Sequence, residues 1–320
     1  MVPGPGEALA KEDESTARGP GAADAVIEVS GLRMSYGAID AVAGIDLEVR
    51  RGEVVAFLGP NGAGKTTTVE ILEGHRRRTA GSVHVLGVDP EHAGRDWRAR
   101  VGVVLQQSRV EPDLDVRECL ELYAGYYPNP RSVDEVIALV GLEKQANMRG
   151  RLLSGGQQRR MDVALGLIGD PELIFLDEPT TGFDPSARRA AWEMIDGLRR
   201  LGRTIFLTTH YMDEAEALSD RIVVLNAGRI VAQGPPSTLG GRDHAAYQVS
   251  FRLPAGMAVD ALPLAAEAGV HGRHVVHSEK VMATLHELSG WALEQGVELG
   301  DLQVHRPSLE DIYLSLTEPD

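Results

Sequence analysis

From about Ala25 onward the chain breaks into short segments with different polarity patterns. Val26-Ile27-Glu28-Val29 and Ile45-Asp46-Leu47-Glu48-Val49 alternate apolar and polar residues, which predicts strands with one face in water. Val54-Val55-Ala56-Phe57-Leu58, Leu173-Ile174-Phe175-Leu176 and Thr204-Ile205-Phe206-Leu207 are instead continuous apolar runs between turn residues, the pattern of parallel strands buried on both faces. Helices are predicted between them, over Lys65 to Glu73, Val116 to Tyr126, Ser132 to Val140, Gly156 to Ile168 and Pro185 to Leu201. Ile222 to Leu225, the turn Asn226-Ala227-Gly228 and Ile230 to Ala232 predict a closing hairpin. Buried strands alternating with helices predict an α/β domain that begins with an antiparallel patch.

The breaks Gly234-Pro235-Pro236 and Gly240-Gly241 separate this region from a second pattern. Tyr247 to Leu253 alternates strictly and predicts a half-exposed strand. Val281, Leu285, Leu288 and Trp291 share one helical face, with Ser278 expected as the N-cap, and Pro307-Ser308-Leu309-Glu310-Asp311 starts a last helix. The expected organisation is a disordered tail over 1–24, an α/β domain over 25–241 and a small α+β domain over 242–320. The tail is rich in Pro, Gly and Ala and lacks the basic start and apolar block of a secretory signal.

Composition narrows the function. The 320 residues include 32 Lys and Arg against 47 Asp and Glu, a net charge of −15, which argues against a protein built around a nucleic-acid backbone. No apolar run approaches a membrane span. The single cysteine, Cys119, excludes an intrachain disulfide and is expected to be a packing residue. His271, His274 and His277 invite a metal reading, but a spacing of three on a strand sends neighbours to opposite faces, so no metal is expected there. Arg76-Arg77-Arg78 and Arg199-Arg200 are expected to be solvated helix ends. A cytoplasmic location is expected.

Three motifs carry chemistry. Gly59-Pro60-Asn61-Gly62-Ala63-Gly64-Lys65-Thr66, followed by Thr67, matches the phosphate-binding P-loop and lies between a buried strand and a helix. Its glycines let backbone N–H groups converge on phosphate oxygens, Lys65 reaches the β- and γ-phosphates, and the Thr66 hydroxyl ligates Mg²⁺. Leu173-Ile174-Phe175-Leu176-Asp177-Glu178 has the form of a Walker B strand that delivers two carboxylates to the edge of the sheet. Asp177 is expected to hold the Mg²⁺ hydration shell, and Glu178 to polarise the attacking water as general base or orienting group. Leu153-Ser154-Gly155-Gly156-Gln157 precedes a helix and presents a second phosphate-binding end.

In the chain order P-loop, signature, Walker B, the three motifs resemble the ATP-binding cassette (ABC) ATPases, and the resemblance covers about residues 26–240. It implies a parallel core sheet, an antiparallel β patch and a helical subdomain, with ATP and Mg²⁺ as cofactors. By the same resemblance Gln106 is the Q-loop glutamine that contacts Mg²⁺ and the attacking water. Asp184, in Thr181-Gly182-Phe183-Asp184, belongs to the D-loop, where Phe183 replaces the expected Leu. His210 is the switch histidine holding the γ-phosphate, and Tyr36 is the aromatic that stacks on adenine. Arg306 to Leu314 resembles the C-terminal end of daunorubicin-resistance-type exporter ATPases, which work beside a separate membrane subunit.

One P-loop and one signature per chain imply a pair of chains, a homodimer or a pairing with a second ABC ATPase. In that pair each ATP lies between the P-loop of one copy and the signature of the other. The resemblance implies an ATPase that powers export of a drug or other hydrophobic compound through a separate integral-membrane permease, peripheral on the inner face of the cell membrane. The alternatives are an importer ATPase and a non-transport ABC ATPase acting on a soluble macromolecule. Translation-type members carry two cassettes, and chromosome-type members a long coiled coil. Here Asp177 follows Lys65 by 112 positions without sustained heptads.

Overall fold

The computed structural model describes residues 24–104, 111–254, 256–269 and 272–317. A hairpin of β1 (Ala25–Tyr36) and β2 (Ile39–Arg50) leads into β3 (Val54–Leu58), the P-loop and α1 (Lys65–Leu72). There follow β4 (Ala80–Val85), α2 (Arg95–Arg98), β5 (Val101–Val104), α3 (Val116–Ala124), α4 (Val133–Leu139) and α5 (Gly155–Leu167). The cassette continues through β6 (Leu173–Asp177), α6 (Pro185–Arg200), β7 (Thr204–Thr208), α7 (Met212–Leu218), β8 (Arg221–Asn226) and β9 (Arg229–Gly234). Beyond it lie β10 (Tyr247–Arg252), β11 (Glu267–Ala268), β12 (His274–Ser278), α8 (Val281–Gln295), β13 (Gly300–His305) and α9 (Leu309–Thr317).

The central sheet has the order β5-β6-β7-β3-β8-β9, parallel except for the β8–β9 hairpin. Its continuous apolar strands serve two cores at once. Along β6, Leu173 and Phe175 face the three-stranded antiparallel sheet β2-β1-β4, while Ile174 and Leu176 face the helices. Phe57, Phe175 and Phe206 pack in a row on the first side, with centroids 5.3 and 5.7 Å apart. On the second side Met161, Ala164 and Leu167 of α5 and Ile195 of α6 close the layer, with Leu120 of α3 and Val136 and Ile137 of α4 farther out. Removing one such phenylalanine would cost about 3–5 kcal/mol. Cys119 packs in the same helical core, fully buried.

The four-stranded sheet β11-β12-β10-β13 is antiparallel throughout, and α8 packs Leu288 against Val249, Phe251 and Val276. Ser278 is not the N-cap of α8. It ends β12, the cap position is Lys280, and the Ser278 hydroxyl accepts from the Lys280 N–H at 3.0 Å and from the Thr284 hydroxyl at 2.7 Å. The last helix leaves this sheet and returns to the cassette. Leu309 is buried in the helical-side core, and Asn226 Nδ2 donates to the Thr317 carbonyl at 3.3 Å. No helix among the described residues is long and apolar enough to cross a membrane.

Candidate active site

The strand order builds the site. P-loop and Walker B sit at the carboxyl ends of β3 and β6, and β7 lies between them, so Phe57, Thr208 and Asp177 fall in one cross-strand row. Ligands of open α/β sheets collect at such strand ends. A cleft of ≈ 760 Å³ opens there, lined by Asn61, Gly62, Gly64, Lys65, Thr66, Thr67, Asp177, Glu178, Thr208 and His210, with Ala41 from β2.

The loop has no room for side chains at two of its glycines. A Cβ on Gly59 would lie 2.3 Å from the Leu225 carbonyl oxygen, and one on Gly64, at φ +104°, 2.2 Å from that of Ala41. Gly64 caps α1 without any side-chain hydrogen bond, and no acidic residue stands in the first turn. The first N–H groups and the positive end of the helix dipole therefore face the cleft, as anion binding requires. Lys65 Nζ donates to the carbonyls of Gly59 (2.6 Å) and Pro60 (3.1 Å), which uses two of its three donors. Burial lowers its pKa, while the Glu178 and Asp177 carboxylates oppose the shift.

Across the cleft, Asp177 Oδ1 accepts a 2.5 Å hydrogen bond from the Thr208 hydroxyl. Glu178 follows with φ +45°, a left-handed conformation rare for a residue with a side chain. Its N–H donates to the Thr208 carbonyl at 3.1 Å and lies 3.2 Å from the Thr208 hydroxyl. Its carboxylate meets His210 Nδ1 at 3.4 Å through Oε1 and accepts from the Thr181 hydroxyl at 3.0 Å through Oε2. A hydroxyl (Thr66) and a carboxylate (Asp177) in one cleft form a hard-oxygen donor set that suits Mg²⁺. Among the described residues no group of three or more His, Cys, Asp or Glu could hold an ion, so most of the coordination sphere would come from phosphates and water.

The signature lies elsewhere on the chain. Ser154 caps α5 in a capping box: its hydroxyl accepts from the Gln157 N–H at 3.4 Å, and Gln157 Oε1 accepts from the Ser154 N–H at 2.9 Å. Ser154, Gly155, Gly156 and Gln157 line a second cleft of ≈ 720 Å³ together with Phe183 and Asp184, and it shares no lining residue with the first. Leu153 is buried beneath it. Asp184 caps α6, accepting from the N–H groups of Ser186 (2.8 Å) and Ala187 (2.9 Å).

Not every candidate gathers at these clefts. Pro60 and Ala63 belong to the loop, but Ala63 is buried, its N–H bonded to the Pro60 carbonyl at 3.2 Å. Tyr36 ends β1 43% exposed, its ring 5.5 Å from the Arg76 guanidinium, and does not line the P-loop cleft. Gln106 lies outside the described residues, as does His271. Sequence reasoning passed over Thr208, which contacts both Walker B carboxylate residues, because a threonine ending an apolar run carries no distinguishing signal. It also passed over Glu214 of α7, which is fully buried and whose Oε1 accepts from Thr180 Oγ1 (2.8 Å) and Trp192 Nε1 (3.2 Å).

A P-loop helix, a Walker B carboxylate pair and a separate signature cleft define an ABC-type P-loop ATPase. The comparisons agree. The ABC transporter family model matches residues 42–181, and a C-terminal-domain model of ABC transporter domain-containing proteins matches 248–308. The chain is 38% identical to Nod factor export ATP-binding protein I of Ralstonia nicotianae, over 93% of this chain and 96% of that one. It is 37% identical to daunorubicin resistance ATP-binding protein DrrA3 of Streptomyces coeruleorubidus, over 93% and 98%. Among solved structures it resembles the dimeric post-hydrolysis cassette MJ0796 bound to ADP and Pi (TM-score 0.59, 26% identity, 65% of this chain and 98% of that one). It also resembles cbiO1 of Clostridium perfringens, part of the ABC transporter complex cbiONQ (TM-score 0.62, 27% identity, 67% and 90%). The chain belongs to the ATP-binding subunits of ABC transporters and is an ATPase.

Proposed function

We propose that this ATPase works as a pair of chains that powers export of a drug or other hydrophobic compound through a separate membrane-spanning subunit, at the inner face of the cell membrane. The observation that carries export is the end-to-end similarity to proteins named for Nod factor export and daunorubicin resistance, which extends through the C-terminal region. Those names span different cargoes on similar ATPases, so cargo choice is assigned to the membrane subunit. Two clefts without a common lining residue support the pairing, since one chain holds each half of the site on a different surface. A homodimer satisfies this geometry, and a second ABC ATPase could replace one copy.

Within the pair, the P-loop N–H groups, Lys65 and the end of α1 would bind the phosphates, with Thr66, Asp177 and Gln106 holding Mg²⁺. Bound Mg²⁺ neutralises charge on the β- and γ-phosphate oxygens. Glu178 would orient the attacking water and take its proton, His210 would hold the γ-phosphate, and Ser154 with the glycines of its helix start would contact the γ-phosphate from the partner copy. Asp184 would border that interface, and Tyr36 would stack on adenine. The chemistry is an in-line displacement without a covalent intermediate.

The test uses the Glu178→Gln variant. It should retain ATP binding, lose turnover by about two to three orders of magnitude and accumulate as an ATP-bound dimer. Near-normal turnover would refute the role of Glu178. Affinity capture of this variant from native membranes with ATP should return one multi-spanning protein in stoichiometric amount, and transport in vesicles containing both should run outward. Recovery of ribosomal or nucleic-acid proteins, or inward transport, would overturn export.

A further inference from the structure

The turn that carries Glu178 is held from inside the protein by a residue of the signature helix. Arg159 on α5 is 9% exposed, and its guanidinium spans the whole turn: Nη2 donates to the Asp177 carbonyl at 2.7 Å and lies 3.4 Å from that of Glu178, while Nε donates to the Pro179 carbonyl at 3.3 Å. From the geometry we infer that Arg159 is a positioning residue for hydrolysis, clamping the backbone that aims the Glu178 carboxylate into the cleft.

Two independent observations lead there. The first is the conformation of Glu178, whose φ of +45° lies in the left-handed region. Such a conformation in a residue with a Cβ persists only where the surroundings over-determine it. Thr208 holds the N–H side of this residue, and Arg159 shares the carbonyl side with the Thr181 N–H, which donates to the Glu178 carbonyl at 3.3 Å. The second is the nature of the clamp. Backbone carbonyls could be satisfied by any buried N–H donor, yet here a guanidinium does so, with five donors in a rigid fork that can reach three carbonyls from one side chain. Burial depresses its pKa, and the carboxylates of Asp162, Asp177 and Glu214 oppose that shift, so the cation is kept charged where it is least solvated. Arg159 touches neither the P-loop cleft nor the signature cleft. It acts through Glu178.

The helix gives the clamp a further consequence. Ser154 caps α5 at the signature cleft and Arg159 stands five residues on, about 7.5 Å along the axis. One rigid turn and a half thus joins the group that faces the partner's nucleotide to the turn that carries this copy's own Glu178.

The inference rests on the assignment of Glu178 made above, and the test separates the two. Turnover, ATP affinity and melting temperature are measured on the purified full chain for Arg159→Gln, Arg159→Lys, Glu178→Gln and the double variant Arg159→Gln/Glu178→Gln. Arg159→Gln should lower kcat at least tenfold and leave ATP affinity within twofold. Arg159→Lys keeps the charge but cannot span three carbonyls, so it should recover part of the loss. In the Glu178→Gln background, Arg159→Gln should change the residual rate less than twofold, because a clamp has nothing left to aim.

Full turnover in a folded Arg159→Gln variant, or the same tenfold loss in the Glu178→Gln background, would overturn the inference. Should Arg159→Gln fail to fold, Arg159→Lys decides: several-fold lower kcat at unchanged ATP affinity supports the clamp, and wild-type kcat overturns it. Intact turnover in Glu178→Gln alone would instead sink the assignment of Glu178 on which the clamp depends.

Discussion

Glu73, just past the P-loop helix, should make the stability of the cassette fall as pH rises. Its side chain is 3% exposed, and burial first, then the neighbouring Asp177 and Glu70 carboxylates, raise its pKa from 4.5 to about 8. The folded state therefore binds this proton more tightly than the unfolded chain does. Below about 4.5 the group costs nothing, and the cost grows until the pH passes about 8. At about 1.4 kcal/mol per pKa unit the penalty is roughly 2 kcal/mol at pH 6 and roughly 4 kcal/mol at pH 8. His75 Nδ1 lies 3.2 Å from the carboxylate. Glu73→Gln keeps the shape of the protonated acid and removes the titration. Its melting temperature should therefore exceed that of the unaltered protein, by a margin that widens by roughly 4–8 °C between pH 6 and pH 8. Scanning calorimetry of both proteins at the two pH values reads this directly. A margin independent of pH, or one that shrinks as pH rises, would refute the argument.

Removing the Lys65 ammonium with Lys65→Ala should weaken ATP binding by tenfold or more in equilibrium titration, since the side chain is anchored beside the P-loop carbonyls at the cleft. Gly64→Ala forces a Cβ against the Ala41 carbonyl at a positive φ, so it should distort the loop and abolish measurable nucleotide binding while the far-ultraviolet circular dichroism stays near that of the parent. At the opposite, amino-terminal end of the sheet strands, the Glu172 carboxyl is held down to about 2, first by the hydrogen bond from Arg100 at 2.5 Å and then by Arg51 at 2.8 Å, against the opposing effect of burial. Its contribution is present above about 4.5 and lost as pH falls toward about 2, so Glu172→Gln should be less stable at neutral pH, with the difference vanishing in acid unfolding titrations.

Much of the cassette was legible in the chain because its information is local. Glycines at 59, 62 and 64 between a buried run and a helix specify a P-loop, since no other residue fits beside the Leu225 and Ala41 carbonyls or turns the backbone as sharply. The apolar runs of β3, β6 and β7 announced strands buried on two faces, and the two cores on either side of them are the reason. Local pattern served less well where other parts of the fold decide. The predicted cap at Ser278 gave way to Lys280 because β12 extends through Ser278 to pair with Tyr247. The seven-residue α7 was missed because its short apolar pattern becomes a helix only when Ala215 and Leu218 bury against the core and Glu214 bonds Thr180 and Trp192.

Chain order alone therefore determined which chemistry this protein carries: a phosphate loop, a carboxylate pair and a signature, each a contiguous stretch whose residue types follow from its task. Only the tertiary structure decided how those pieces meet. The order β6-β7-β3 inserts Thr208 and His210 between Lys65 and the Walker B carboxylates, and the packing of α5 brings Arg159 onto the Glu178 turn. The fold likewise places the signature in a cleft of its own, which shares no lining residue with the P-loop cleft. The physical reason is range. A backbone conformation or a helix start depends on neighbours in sequence, whereas a clamp across 18 residues, or a contact between strands 31 residues apart, exists only after the sheet has chosen its order.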